Sequence, residues 1–386
     1  MRPIIFINSH PIQYFAPLYK YLNDNGLDVS CWYCSDENLK DYYVDQQFNV
    51  KVSWDIPLLE GYKHKFYKNN SLLPSIHNGF FGIANIGLIA DIFKEQKSVI
   101  VVHGWNYLTN VVAIVLGRLA GHTICLRGEN PLNQEMLKGR LLKYCKHVFL
   151  GLIIFRFTSY CLYIGSQNFE FYKKLRVPRS KLVFMPYAVD NNRFLNDYKK
   201  LFPLVSHFRS EMAIPIDAKV FLFSAKFIEK KRPMDMIRAF AEMKLENKFL
   251  VMVGDGKMLD EAKTLASSLG IEGIRFTGFV NQSAISKYYV IADVFVLPSG
   301  EGETWGLAIN EALNFDLPCV VSRIAGCAND LIQEGSNGYT FNVGDIEDLS
   351  LKMKMASALG RVSSAQILEK FSFYGILASV KEVSNG

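Results

Sequence analysis

The chain has 386 residues, of which 49% are hydrophobic and 21% charged, and a formal net charge of +6. That length suffices for two domains with their own cores, and that composition excludes disorder as the main state. The mildly positive charge suits anionic partners such as nucleotides or phospholipid surfaces, and without a recognisable nucleic-acid motif it excludes a nucleic-acid-binding role.

Short apolar runs recur from the N-terminus at the spacing of β-α units: Ile4 to Ile7, Val29 to Tyr33, Val99 to Val102, Thr123 to Leu126, Leu162 to Gly165 and Leu182 to Met185. A continuous apolar run, unlike an alternating one, marks a strand covered on both faces, so this half predicts a doubly wound parallel sheet. Two segments stand out within it. Tyr62-Lys-His-Lys-Phe-Tyr-Lys68 is basic and aromatic, and the stretch from Lys138 to Arg156 is basic first and apolar after. The second reads as a buried helix leading into the strand at Cys161. The competing reading is a peripheral membrane contact, in which cations meet anionic headgroups and aromatics enter the interface. No run approaches the roughly 20 apolar residues that span a bilayer.

Seven cysteines are scattered along the chain, at 31, 34, 125, 145, 161, 319 and 327. No secretory signal is read before them, and the odd count predicts reduced thiols in a cytosol. Cys31 and Cys34 have redox or zinc spacing, yet they fall inside a strand-like run and no second pair completes a site, so they read as core residues.

After Phe194 a polar, poorly periodic stretch through about Pro215 reads as a linker. The alternation then resumes with Val220 to Phe223, Phe249 to Val253, Arg275 to Thr277, Val294 to Leu297 and Cys319 to Val321, and Phe371 to Val380 reads as a final helix. The expected organisation is α/β: a first Rossmann-like domain over 1–195, a second over 196–365, and a terminal helix over 366–386 packing back on the first. Ligands of open α/β sheets bind beyond the carboxyl ends of the strands, so the loops there carry the candidate chemistry. Two such domains facing one another would place the site in the cleft between them.

In the first half no G-x-G-x-x-G follows the first strand, where Asn8-Ser-His10-Pro stands instead, which counts against a dinucleotide-dependent oxidoreductase. His10, His103, Arg127 and Glu129 all fall at carboxyl ends of strands. In the second half Lys226-Phe-Ile-Glu-Lys-Lys231-Arg232 places four cations in seven positions at a strand mouth, a pattern suited to phosphate oxygens. A Gly254-Asp-Gly256 turn follows the next strand. After the run from Ala292 to Pro298 come Glu303 and Glu311, with a helix start between them, roughly 12 Å apart at 1.5 Å per residue. That separation suits the two ends of a sugar nucleotide, with backbone amides near Gly306, Leu307 and Ala308 aimed at a diphosphate. In isolation two such glutamates would read as a solvated helix face. The strand before them and the cation cluster decide otherwise.

Lys226 with Lys231, the Gly-Asp-Gly turn, Phe276-Thr-Gly-Phe-Val280, Ala292 to Ser299, Glu303 with Glu311, Leu317 to Ser322 and the glycine turn from Glu334 to Tyr339 follow in an order that resembles family 4 of the retaining glycosyltransferases, group 1-like enzymes of the GT-B fold. The resemblance reaches back to Pro186 and covers about the last half of the chain; the first half matches mainly in architecture. It implies two Rossmann-like domains facing across a cleft. It also implies a hexosyltransferase-type reaction that moves a sugar from a nucleotide-sugar donor to a glycan or lipid-linked hydroxyl acceptor, with retention, as in lipopolysaccharide or capsule synthesis.

By the same resemblance Glu311 binds the ribose, Glu303 lies against the donor sugar and Lys226 and Lys231 hold the diphosphate, with Thr304, Gly306 and Leu307 completing the donor site. Lys226 stands where the family commonly has Arg, which keeps the charge and loses bidentate geometry. Glu303, His103 and Lys231 are the catalytic candidates, His103 as the histidine near the donor sugar. His10, Arg127 and Glu129 are the acceptor-side candidates. No protein nucleophile is assigned, and no metal or other cofactor is expected, because the cations take that role. The expected location is cytoplasmic, with a peripheral contact to an anionic membrane. The alternatives are a sugar-nucleotide epimerase on the same two-domain plan and a non-catalytic nucleotide-sugar binding module.

Overall fold

The computed structural model describes residues 1–39, 44–45, 50–51 and 55–385. It divides into two compact units, the first made of Met1–Tyr43, Pro57–Tyr187 and Ser372–Gly386, the second of Val44–Ile56 and Ala188–Phe371. These divisions fall at 187 and 371 rather than at 195 and 365, and the segment 44–56 groups with the second unit.

The first unit is built on seven parallel strands: β1 (Ile4–Asn8), β2 (Val29–Tyr33), β3 (Lys63–Phe66), β4 (Val99–His103), β5 (Thr123–Arg127), β6 (Tyr160–Tyr163) and β7 (Leu182–Phe184), in the order β3-β2-β1-β4-β5-β6-β7. Strands β1 and β4 are central, and their aliphatic residues are at most 2% exposed because helices cover both faces. The terminal helix Phe373–Asn385 belongs to this unit, where the Ser379 hydroxyl donates to the Phe184 carbonyl and Phe373 packs on Tyr21.

The second unit has six parallel strands: β8 (Lys219–Ser224), β9 (Lys248–Val253), β10 (Ile274–Gly278), β11 (Val294–Leu297), β12 (Cys319–Ser322) and β13 (Gly338–Phe341), in the order β10-β9-β8-β11-β12-β13. Strand order reverses between β1 and β4 in the first sheet and between β8 and β11 in the second. At such a switch point the two flanking loops diverge to opposite faces and leave a crevice at the carboxyl edge.

Several expectations are corrected. Tyr62 to Lys68 is not a free basic surface: it contains edge strand β3, whose Lys63 and Lys65 pair with Asp28 (2.7 Å) and Asp91 (2.5 Å). The stretch after Phe194 is not a linker. Helix Asn191–Leu201, capped by the Asp190 carboxylate accepting from the Arg193 amide, runs through a short 3-10 turn into helix Val205–Glu211. Arg209 there is 5% exposed and binds the carbonyls of Ile291, Ile216 and Ala218 and the Asp293 carboxylate, which clamps the segment to the second sheet. The segment from Lys138 to Arg156 is not a buried helix either: helix Arg140–Phe149 buries none of its residues, and a π-turn, Leu150–Ile154, follows it. All seven cysteines are free thiols, and six of them are buried, Cys145 being exposed.

Candidate active site

The second unit builds its site from the loops after β8, β9 and β11. Just past β8 the Phe227 amide donates to the Asp255 carbonyl (2.8 Å), and the Met258 amide donates to the Phe227 carbonyl (3.0 Å). Those bonds stitch the first loop to the Gly-Asp-Gly turn. The approach requires glycine, because a Cβ at Gly254 would stand 2.0 Å from the Ala225 carbonyl oxygen. The chain then makes a 3-10 turn, Glu229–Lys231, and leaves it through Arg232 in the left-handed region (φ 51°, ψ 50°). That turn aims consecutive lysines at the loop after β11. The Gly300 amide donates to the Lys230 carbonyl (2.8 Å), the Lys230 ammonium to the Gly302 carbonyl (3.2 Å), and Lys231 forms an ion pair with Glu303.

Glu303 and Lys231 therefore bridge the switch point between β8 and β11, with side-chain exposures of 8% and 17%. Burial pushes the Glu303 carboxyl up, but the charges of Lys231 and Lys230 and the hydrogen bond from Lys231 more than offset it, so the group sits below the usual carboxylate range. The Lys230 ammonium is held below its usual value, first by burial and then by Lys231 and Lys226, while Glu303 pulls the other way. Cations that crowd one another at a strand mouth are what an anion site requires.

The Glu303 loop is supported from below. A Cβ at Gly326 would lie 1.9 Å from the Thr304 carbonyl oxygen. The Gly326 amide donates to the Glu303 carbonyl (3.1 Å) and the Cys327 amide to the Trp305 carbonyl (3.2 Å). Gly306, at φ +112°, opens helix Leu307–Leu313. Thr304 and Leu307 are half-buried and Gly306 is buried. Because this helix has only seven residues, its dipole is short and the lysines carry the attraction for an anion. Glu311 is 3% exposed on that helix and accepts a 2.6 Å hydrogen bond from the hydroxyl of Tyr289, itself fully buried. Neither glutamate lies on a solvated helix face. Tyr289 is the functional neighbour that the sequence reading missed: it sits in the short helix Ser286–Ile291, and nothing local marks it.

In the first unit His10 and His103 follow β1 and β4, the strands of its own switch point. His10 exchanges a 2.9 Å hydrogen bond with the Ser9 hydroxyl. The His103 ring stands edge-on to Phe15 (4.7 Å), and its Nε2 is buried without a hydrogen-bond partner among the described residues. Burial and the Arg127 charge hold it well below the ordinary histidine value, so the ring is neutral. Arg127, read from sequence as a cleft residue, is 1% exposed. Its guanidinium binds the carbonyls of Met185 (3.2 Å) and Pro186 (3.3 Å) and lies over the rings of Tyr187 and Phe15, so it braces the unit from within. Glu129 accepts from the Tyr187 hydroxyl, and burial raises its carboxyl despite Arg127 and that bond. Among the described residues no group of three or more His, Cys, Asp or Glu is placed to hold a metal ion.

Most of the second unit also matches a family model. Residues 206–366 fit the model of the group 1 glycosyl transferases, the stretch that holds Lys226, Lys231, Glu303 and Glu311. This part of the chain is similar to the group 1 glycosyl transferases. Among curated relatives, the chain is similar to the sulfoquinovosyl transferase SQD2 of Arabidopsis thaliana, 35% identical over 32% of this chain and 24% of that protein. A longer match, 26% identical over 75% of this chain and 74% of the other, is to the UDP-Gal:alpha-D-GlcNAc-diphosphoundecaprenol alpha-1,3-galactosyltransferase of Escherichia coli. The chain spans between about a quarter and two-fifths of the length of the first curated relatives it matches. The structure of Anabaena HepE in complex with UDP and glucose superposes with a TM-score of 0.70 at 15% identity, over 99% of both chains. The two parallel sheets, of seven and six strands, thus form the GT-B fold. No helix among the described residues is long and apolar enough to cross a membrane.

Proposed function

We propose that the chain is a retaining glycosyltransferase, transferring a sugar from a nucleotide-sugar donor to a hydroxyl of a lipid-linked or surface-polysaccharide acceptor. The observation that carries this reading is the buried Lys231–Glu303 pair at the switch point of the second sheet, with Lys226 and Lys230 beside it and Glu311 on the helix that follows. A diphosphate takes the lysines, which leaves the Glu303 carboxylate to the hydroxyls of the donor sugar. Glu311, oriented by Tyr289, takes the ribose. Thr304, Gly306 and Leu307 line the path between them.

In the reaction the bond from the anomeric carbon to the diphosphate oxygen breaks, and the acceptor oxygen bonds to the same face. The acceptor proton passes to the departing phosphate oxygen, so no side chain acts as nucleophile. The lysines lower the barrier by stabilising the charge that grows on the diphosphate, and the reading needs no metal for that purpose. The neutral His103 supplies a hydrogen-bonding nitrogen from the first unit. His10 and Glu129 serve the acceptor, Glu129 positioned through Tyr187 and, behind it, Arg127. The 26% identical enzyme named for a diphosphoundecaprenol acceptor and the HepE complex with UDP and glucose support this substrate class.

The test is incubation of purified protein with UDP-, GDP- and ADP-sugars and membrane lipid extract. Release of nucleoside diphosphate that depends on acceptor, with retained anomeric configuration, is expected. Glu303→Ala and Lys231→Ala should each lose about 100-fold in turnover, the scale of removing one electrostatic stabiliser. Full turnover in both variants overturns the site. Conversion of donor without acceptor would make the protein an epimerase instead.

A further inference from the structure

Helix Arg140–Phe149 turns Lys146 and His147 inward and leaves apolar side chains outward. Leu141, Tyr144 and Val148 recur at helical spacing on one face, continued by Leu137 before the helix and Leu152 in the π-turn after it, and all are exposed, Leu141 by 77%. The opposite face meets the body of the first unit through ions. The Lys146 ammonium binds Glu135 (2.7 Å), a carboxylate 2% exposed, and lies over the rings of Phe171 and Trp105. The His147 ring nitrogen stands 3.5 Å from the same carboxylate. A helix that serves only its own domain has the reverse polarity, because leaving leucine in water forfeits its burial energy.

The rim of this apolar stripe is basic. Arg140, Lys143 and Arg156 flank it, Lys138 being paired with Glu135 (2.9 Å), and no Asp or Glu occurs from Met136 to Phe157. A stripe of this length with a one-signed rim is complementary to an apolar layer beneath a negative surface. A second copy of the chain seated on it about a twofold axis would set these cations against their own equivalents, which disfavours self-association.

We infer that this face is a membrane-docking surface for an anionic phospholipid bilayer. Leu141, Tyr144, Val148 and Leu152 enter the boundary between headgroups and acyl chains, while Arg140, Lys143 and Arg156 meet lipid phosphates. The Lys146–Glu135 pair fixes the helix to the unit so that the stripe is presented outward. The stripe begins at Leu137, in the same connection that carries Glu129 away from β5. On the proposed transferase reading, docking therefore brings a lipid-linked acceptor to the unit edge that holds Glu129.

The test reads vesicle binding, which needs neither donor nor acceptor. The full chain is sedimented with vesicles of phosphatidylcholine alone and of phosphatidylcholine mixed with phosphatidylglycerol. Binding to the anionic vesicles that weakens with salt is expected. Each cation contributes about fivefold to partitioning, so Arg140→Glu with Lys143→Glu should lower binding by roughly 25-fold or more. Leu141→Ser with Leu152→Ser should lower it by about tenfold or more, with an unchanged melting temperature because both sites are exposed. Equal binding to neutral and anionic vesicles, binding unaffected by either pair, or no binding at all overturns the inference. So does a dimer, seen by light scattering, that only the serine pair dissociates. If vesicle binding behaves as expected while transfer to any acceptor is absent, the docking surface stands and the proposed reaction falls.

Discussion

Replacing Lys231 with methionine removes the cation from a carboxylate with almost no contact with water. Glu303 is 6% exposed and the Lys231 side chain 17%. Breaking a buried pair by deleting one partner costs about 3–5 kcal/mol, because the remaining charge is left uncompensated. The charge of Lys230 stays in place, so the low end, about 3 kcal/mol, is expected. For a unit of this size each kcal/mol moves the melting temperature by roughly 2–4 °C, which predicts a loss of about 6–12 °C at pH 8. The pH dependence then separates this cause from simple loss of packing. In the wild type the folded Glu303 has a lower pKa than the unfolded one, so it adds stability above about pH 4.3 that is lost as pH falls through the folded value. Without Lys231 burial dominates, and the folded pKa rises above the unfolded one. Ionisation then opposes folding, and the penalty shrinks as pH falls toward 5. Melting curves of both proteins at pH 8, 6.5 and 5 should show the gap narrowing by at least half, and Glu303→Gln in the Lys231→Met background should restore most of the loss. A gap below about 1 kcal/mol, or one that does not change with pH, would refute the ion-pair account.

Tyr289→Phe deletes the 2.6 Å hydrogen bond to Glu311 and little else. Such a bond is worth about 0.5–1.5 kcal/mol, so calorimetric affinity for the nucleoside diphosphate should fall roughly two- to tenfold, and an unchanged affinity would remove Glu311 from the ribose site. Gly326→Ala forces a Cβ into the Thr304 carbonyl; turnover should collapse while Gly87→Ala, where a Cβ meets only the Tyr67 ring at an ordinary 3.6 Å, leaves it intact. Arg127→Met strips four contacts from the inside of the first unit and should cost about 3 kcal/mol in denaturant melts, whereas an acceptor-contact role would alter KM with stability unchanged. His103 has a folded pKa far below its unfolded one, so stability is full above about pH 6.5 and falls as pH drops; His103→Gln should flatten that acid slope by up to about 1.4 kcal/mol per pH unit.

The residues legible from sequence share one property: their meaning is fixed by position relative to a buried strand. Continuous apolar runs identify β1, β4, β8 and β11, and Lys226, Lys231 and Glu303 are then marked because each follows a strand end. Edge strands escape this reading. β3 presents Lys63, His64 and Lys65 to solvent, and β13 begins at a glycine, so neither carries an apolar run. Arg127 shows the limit of the same rule, since a strand end predicts a cleft residue and only packing reveals that Met185, Pro186 and Tyr187 enclose it. Tyr289 acts through one tertiary contact, which no local pattern encodes. The helix after Gly139 is the sharpest case. Its sequence fixes a stripe at 141, 144 and 148, but not whether that stripe faces the sheet or water, and the usual preference for burial points the wrong way. What sets the direction is Glu135. Its carboxylate, enclosed by the first unit, is neutralised by Lys138 and Lys146, and Lys146, the partner on the helix itself, reaches it only if the leucines turn outward. A single buried acid thereby determines which side of the helix is left for a partner, and substituting Glu135 with leucine should invite the helix to roll inward and weaken anionic-vesicle binding even though no exposed residue has changed.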